Sequence, residues 1–323
     1  MKKNIAIAMG GYSNEHRISI NSGNVVYKNL DRSKYNPYRV HILQKEWFVV
    51  ADDDTPYPIN RSNFTVTIKG KLIAFDCVFN TIHGTPGENG LLQAYLELLG
   101  IPQTTCGFYQ AALTFNKRDL ISVLKPYGVK TATNYFLNKG EEVHPEEIIA
   151  KVGLPCFVKA NKAGSSFGIT KVKNEDDLIP AVKTAFKEDD EIIIESFLDG
   201  TEVSVGVVMY EGKILALPVT EIISENEFFD YEAKYLGKSQ EITPARISEE
   251  QTSEVQEAAK LIYSKLKMKG FTRSEFIFHN NQAHFIEMNT TPGLSEASIL
   301  PQQSLAAGIS LQDLFGNAIE AAI

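Results

Sequence analysis

The strongest constraint on the fold is a rhythm in which short apolar runs alternate with stretches whose apolar residues recur at helical spacing. "NIAIAM" (4–9) is a buried strand, and the helix after it is capped near Ser13 or Asn14 and runs to about Asn29, with Ile18, Val25, Val26 and Leu30 on one face. "YRVHIL" and "DCVFNTIHG" are further strands, and "GENGLLQAYLELLG" is a helix ended by Gly100. Parallel neighbours need a crossover, usually a helix, so this order predicts a parallel sheet in the first hundred residues.

Beyond "IPQTTCG", a connector, the spacing predicts helices over 108–116 and 117–127, then a helix over 145–152. Strand "PCFVKA", a Gly/Ser loop, strand "ITKVK", a helix over 175–187 and strand "EIIIES" follow. "VSVGVVMYEGKILALPVTEI" reads as two alternating strands around the Glu211-Gly212 turn. Residues 224–245 show no clean period and read as a long loop, which in a compact domain is more often functional than idle. A helix over 249–268, a hairpin and two C-terminal helices complete the chain.

At 323 residues, two or three structural units are expected. A net charge of −8 argues against nucleic acid or an anionic membrane as the main partner, so a small anionic substrate would need local Lys and Arg. Cys77, Cys106 and Cys156 show no CxxC spacing and read as buried free thiols of a reducing cytosol. Lys2-Lys3 ahead of "NIAIAMGG" resembles the start of an export signal, but the apolar run is too short and reads as a first strand. No run approaches the roughly 20 apolar residues of a membrane span, and a cytoplasmic protein is expected.

Several segments can carry chemistry. In "KANKAGSSFGITKV" (159–172), Gly164, Ser165, Ser166 and Gly168 join two strands, and Lys159 ends the first. Such a loop can fold over phosphates or be a flexible connector; it is not a Walker A motif. In "IIIESFLDGTE", Glu195 and Glu202 flank a short connector that fits either a nucleotide hinge or a strand end with surface acids. The first βα turn, "MGGYSNEHRIS", lacks the third glycine of a dinucleotide fingerprint, and Glu15 there either complements a helix dipole or waits for a cationic group. His83 ends a strand in the Gly-rich "TIHGTPGENG", where parallel sheets bind ligands, although a lone histidine is often structural.

The hairpin "SEFIFHNNQAHFIEMNTTPG" (274–293) poses the sharpest question, because Glu275, Glu287 and Asn289 sit at one end of apolar strands. An odd loop, Asn280-Asn281-Gln282, pairs His279 with Ala283 and sets Glu275 opposite Glu287, with Asn289 on the same face. Facing carboxylates repel unless a cation lies between them, and an all-oxygen set suits Mg²⁺ or Mn²⁺. An even loop instead puts the two acids on opposite faces. Both readings stay open on the sequence of the hairpin alone.

Taken together, these segments resemble the D-alanine–D-alanine ligases of the ATP-grasp superfamily over nearly the whole chain. "GGYSNEHRISINSG" resembles the family's substrate loop, "HGTPGENGLLQA" its H-G-x-x-G-E-[DN]-G signature and "VKANKAGSSFGITKV" its ATP-grasp loop. "FDYEAKY" (229–235) resembles the mobile loop and "EMNTTPG" the metal-binding end. The resemblance implies an α/β ATP-grasp fold in three units: an N-terminal parallel-sheet domain (1–104), a central subdomain (105–195), and a C-terminal subdomain (196–323) with the metal site and a mobile loop over 224–245. It implies ATP-dependent joining of two D-alanine molecules through an acyl phosphate, for peptidoglycan synthesis, by a cytoplasmic homodimer.

It also implies residue roles. Glu275, Glu287 and Asn289 would hold two Mg²⁺ (or Mn²⁺); Lys117, Lys159, Ser166 and Lys234 would contact phosphates; Glu195, Leu198 and Glu202 would line the adenosine. Glu15 would pair with the first substrate's ammonium, near His83, and Ser298 would hold the second substrate's carboxylate. Arg273 and the Gly293 N–H would stabilise the oxyanion, and Tyr235 would link the mobile loop to Ser165 and Glu15. The chain departs from the family pattern at Glu275, where many relatives have Asp, at Ala160, often proline, and at Ser196, often lysine. Tyr235 fits dipeptide makers, whereas depsipeptide relatives often carry His in that loop. The alternatives are another carboxylate ligase on the same fold, a nicotinamide dehydrogenase suggested by the β-GG-α start, and a silent ATP-binding protein.

Overall fold

The computed structural model describes residues 2–162, 168–224 and 239–323. Among them the strands form three sheets. The first holds β1 (Lys3–Gly10), β2 (Tyr35–Ile42), β3 (Trp47–Val50), β4 (Pro56–Asn60), β5 (Thr65–Ile68), β6 (Lys71–Ile73) and β7 (Cys77–Asn80) in the order β6-β5-β4-β3-β2-β1-β7. Only β1 pairs in parallel, with β2 on one side and β7 on the other. The expectation of a parallel sheet holds for that centre, but residues 47–73 add an antiparallel meander. Its turns use residues at positive φ, Asp54, Lys69 and Gly70, and tight turns suffice for antiparallel neighbours.

Burial on both faces explains why β1 reads as a continuous apolar run. Ile5, Ile7 and Met9 pack with Val26 of α1 (His16–Asn29) and with Leu314 and Phe315 of α9 (Leu311–Ala322). Ala6 and Ala8 face Val40, Phe64 and the Leu92 and Leu96 side chains of α2 (Leu91–Leu98). The two ends of the chain therefore share one core.

The second sheet, β10 (Thr170–Val172), β9 (Cys156–Ala160), β11 (Glu191–Ser196) and β8 (Asn134–Asn138) in that order, is antiparallel and backed by α5 (Pro145–Val152) and α6 (Leu178–Ala185). The third runs β15 (Ser239–Ile242), β14 (Thr220–Ser224), β12 (Gly200–Tyr210), β16 (Phe271–His279), β17 (Gln282–Asn289), with β13 (Lys213–Ala216) on the free part of β12. Strand β15 corrects the reading of 224–245 as one loop: "SQEI" is too short for a two-residue period to stand out, and its pairing with β14 makes it a strand.

One face of this sheet is apolar. Val203, Val205, Val207, Phe276, Phe278 and Phe285 form a core with α3 (Phe108–Phe115), α4 (Lys117–Leu124) and α7 (Glu249–Lys265). Helix α7 starts at a capping box, Gln251 N–H donating to Ser248 Oγ and Ser248 N–H to Gln251 Oε1, both at 3.2 Å. Strand alternation sends Glu202, Ser204, Arg273, Glu275, Glu287 and Asn289 to the opposite face. The cysteines are free and buried, and no helix among the described residues is long and apolar enough to cross a membrane.

Candidate active site

The hairpin β16–β17 answers the sequence question in an unexpected way. Its loop is even: His279 pairs with Gln282 across Asn280 and Asn281, which take φ of 51° and 58° as a primed turn requires. Of the two loops that the sequence left open, the even one is therefore the one formed. Glu275 nevertheless faces Glu287, because the register shifts between Glu275 and Phe276 and leaves Ile286 as an extra residue. The cause lies on the apolar side. Phe285 and Met288 both bury in one core, yet they are three apart, and a two-residue period accommodates both only with a bulge between them. Asn289 emerges opposite Arg273.

This polar face opens on a cavity of about 440 Å³ between the sheet and the N-terminal unit, lined by Glu15, His83, Arg273, Glu287, Asn289, Gly293 and Ser298 among others. Of the residues singled out from the sequence, these seven share one space, and Lys117 joins them. Lys159 and Glu195 lie on β9 and β11 of the second sheet, Glu202 on β12 of the third and Leu198 in the connector between β11 and β12, none of them lining this cavity. Ser165, Ser166, Lys234 and Tyr235 lie outside the described residues.

Local structure explains how each group is aimed. Ser13 Oγ accepts from the Glu15 N–H at 3.2 Å and donates to the His83 carbonyl at 3.0 Å, so one hydroxyl fixes the first βα turn to the His83 strand. His83 is 8% exposed with Nε2 unpartnered among the described residues; burial pulls its basicity down, partly offset by Glu15. Asn116 caps α4 by accepting from Asp119 N–H at 3.0 Å and from Asn161 Nδ2 at 2.8 Å. Asn161 Oδ1 in turn accepts from Arg118 N–H at 2.9 Å, which ties the start of α4, with Lys117, to the end of the Lys159 strand. Leu294 N–H donates to Ser22 Oγ at 3.1 Å and anchors the Gly293 loop to α1. A side chain at Gly293 would sit 2.8 Å from Ser298 Oγ, so glycine lets these two groups lie close together.

The charges are closely matched. Arg273 Nη1 bonds Glu275 Oε1, and Lys117 Nζ lies 3.6 Å from Glu287 Oε2. Lys159 Nζ bonds Glu195 Oε2 at 2.8 Å. Burial alone would lower the pKa of Lys159 and of Arg273, but their carboxylate neighbours win and raise both, so the cations stay charged.

Sequence reasoning missed two acids in the cavity. Glu88, within the "HGTPGENG" segment, accepts from the Gly84 N–H at 2.9 Å, and burial, with Glu15 beside it, pushes its pKa up to about 7. Glu241 comes from the segment with no readable period, and only the pairing of β15 reveals where it faces.

Could the hairpin hold a metal? Among the described residues no three His, Cys, Asp or Glu side chains form a ready cluster. Two carboxylates and an amide on one face form a partial oxygen set, which is how Mg²⁺ is commonly held when substrate phosphates complete its shell. The residues fit such an ion.

Comparison with known proteins identifies the family. Residues 4–106 match the D-Ala–D-Ala ligase N-terminus family and residues 123–320 the D-Ala–D-Ala ligase C-terminus family. A D-alanine–D-alanine ligase of Christiangramia forsetii is 77% identical over 323 residues, covering 100% of this chain and 99% of the relative. One from Flavobacterium johnsoniae is 66% identical, with 98% of each covered. Among solved structures, the VanG D-Ala:D-Ser ligase from Enterococcus faecalis superposes with a TM-score of 0.89 at 31% identity, covering 100% of both chains. The ATP complex of the Bacillus anthracis D-alanine–D-alanine ligase superposes with a TM-score of 0.80 at 29% identity, covering 99% of this chain and 97% of that one. With both halves matched in order and relatives this similar over their full length, the chain belongs to the D-alanine–D-alanine ligase family.

Proposed function

We propose that this cavity joins two D-alanine molecules at the expense of ATP. The observation that carries the reading is the meeting of two units: the polar face of the third sheet brings Arg273, Glu287, Asn289, Gly293 and Ser298 to Glu15 and His83 of the first. The chain is an ATP-dependent ligase. A carboxylate oxygen of the first D-alanine takes the γ-phosphoryl group, giving D-alanyl phosphate and ADP. The amine of the second D-alanine attacks the carbonyl carbon, the tetrahedral adduct expels phosphate, and a proton is released.

Each residue then has a task. Glu15 pairs with the first substrate's ammonium, and His83 lies beside that substrate. Arg273 and the Gly293 N–H stabilise the oxyanion of the adduct, a role whose single donors are worth about 3–4 kcal/mol. Ser298 holds the second carboxylate. Lys117 and Lys159 meet the phosphates, with Ser165, Ser166 and Lys234; Glu195, Leu198 and Glu202 line the adenosine, and Tyr235 belongs to the closing loop. Glu275, Glu287 and Asn289 would hold two Mg²⁺ or Mn²⁺, which when bound neutralise charge on the transferred phosphoryl group.

The same reading assigns an N-terminal substrate domain over 1–104, a central subdomain over 105–195 and a C-terminal subdomain over 196–323, in a cytoplasmic homodimer that supplies peptidoglycan synthesis. Exposed apolar side chains on α2 and α3, Leu91, Leu98, Phe108 and Tyr109, support a partner surface there.

The test is phosphate release from ATP with Mg²⁺, run with D-alanine alone, with L-alanine, and with D-alanine plus D-serine or D-lactate, the products identified by mass. Release with D-alanine alone and a D-Ala-D-Ala product is expected. A requirement for D-serine or D-lactate would overturn the second-substrate assignment, and no release with any of them would overturn the activity.

A further inference from the structure

Glu241 lines the cavity but has no task in the reaction above. It sits on β15 directly opposite Ile222 of β14, so both side chains stand on the polar face of the third sheet. Ile222 and Ile299 bury together as a small apolar pair, and Ile299 begins α8 (Ile299–Ala306), whose N-cap is Ser298. Glu241, Ser298 and Ile299, the last backed by Ile222, therefore line the cavity together.

The charge pattern of that lining is unusual. Glu275 is matched by Arg273, and Glu287 by Lys117. The Glu241 side chain makes no hydrogen bond or ion pair among the described residues, although it is half-buried. Burial pushes its pKa up and the more distant Arg273 pulls it down, which marks a carboxylate lacking a close cation. In the same lining, the first turn of α8 has no side-chain cap among the described residues: the Ser298 side chain bonds Ser295 Oγ at 2.7 Å instead. A negative group and a helix N-terminus, separated by a small apolar contact, match a zwitterionic α-amino acid with a small side chain.

We propose that Glu241 receives the ammonium group of the second amino acid and is a specificity-determining residue that favours an amino acid over a hydroxy acid at that subsite. The assignment rests on the ligase reading above and deepens it. Glu15 serves the first substrate's ammonium on the N-terminal side of the cavity; Glu241 serves the second from the sheet side. A hydroxy acid such as D-lactate leaves Glu241 without its cation and is disfavoured for that reason.

The test uses the full chain with Mg²⁺ and ATP, comparing the wild type with Glu241→Gln and Glu241→Asp. Glu241→Gln is expected to raise the second-site KM for D-alanine by about tenfold or more, the scale of a charge-assisted hydrogen bond, with the first-site KM and the KM for ATP within roughly twofold. With equimolar D-alanine and D-lactate, its products should shift toward the depsipeptide by a similar factor, and Glu241→Asp should recover most of the wild-type preference. An unchanged second-site KM and product ratio in a folded, active Glu241→Gln enzyme would overturn the proposal. So would an equal rise in the KM for ATP, which would place Glu241 with the phosphates. The wild type gives a check that needs no variant: D-lactate competing at the second site as well as D-alanine does would also overturn it. Absence of any D-alanine-dependent turnover by the wild type would instead refute the ligase reading itself, and this assignment with it.

Discussion

Arg273 shows how much depends on side-chain geometry. Its guanidinium bonds Glu275 and reaches Ser204 Oγ at 3.3 Å, while its assigned task is to meet a developing oxyanion. Lysine keeps the charge but not the planar fork. Arg273→Lys is therefore expected to lower kcat by about 10²-fold or more, with the KM for ATP little changed, as measured by steady-state phosphate release. Glu88 bears on stability. Its carboxyl titrates near 7 in the folded chain against an ordinary 4.5, so the native state holds a proton that the unfolded state has lost. Between those two values the unfolded state binds fewer protons, and stability falls as pH rises; below 4.5 and above about 7 the contribution is flat. Urea melts across that window should show Glu88→Gln losing less stability than the wild type; equal slopes would show that Glu88 is not the group responsible. Residue types were legible in the sequence where chemistry concentrates in short segments, as at Glu15, His83 and Glu275. Glu88 and Glu241 were missed because burial and the absence of a partner are properties of packing.

At the scale of elements, the start of α4 links two phosphate candidates. Asn116 accepts from both Asp119 N–H and Asn161 Nδ2, and Asn161 follows the Lys159 strand. Asn116→Ala is expected to cost about 1–2 kcal/mol and to raise the KM for ATP, while Asn116→Asp, which keeps the oxygen that accepts both bonds, should do neither; thermal melts and ATP titrations check both. The hairpin shows why sequence alone left its register open. Turn parity can be counted, but a bulge at Ile286 reverses the parity, and it exists only because Phe285 and Met288 share a core. The spacing of those two residues was the available signal. Strand β15 carried no comparable one, since four residues do not establish a period and its partner β14 is needed to hold it. The β1–α1 start, by contrast, was legible because a strand buried on both faces leaves an unbroken apolar run.

At the scale of the molecule, the ends of the chain meet, with α9 packed on β1 and the Gly293 loop held by α1. The cavity exists only because the first and third sheets are joined in this way. Leu91 and Leu98, 59% and 88% exposed, lie two turns apart on one face of α2, and Tyr109 of the adjoining α3 is 60% exposed. Sedimentation equilibrium is expected to give twice the chain mass for the wild type and a shift toward monomer for Leu98→Asp; a monomeric wild type would refute the dimer. The central claim is that the cavity activates a carboxylate by phosphorylation before amide formation, and its most direct test is isotope transfer. With D-alanine labelled with ¹⁸O at both carboxylate oxygens, unlabelled ATP and Mg²⁺, the account requires one ¹⁸O in each phosphate released, carried over from the first substrate through D-alanyl phosphate. Dipeptide formed with no label in the phosphate would contradict it.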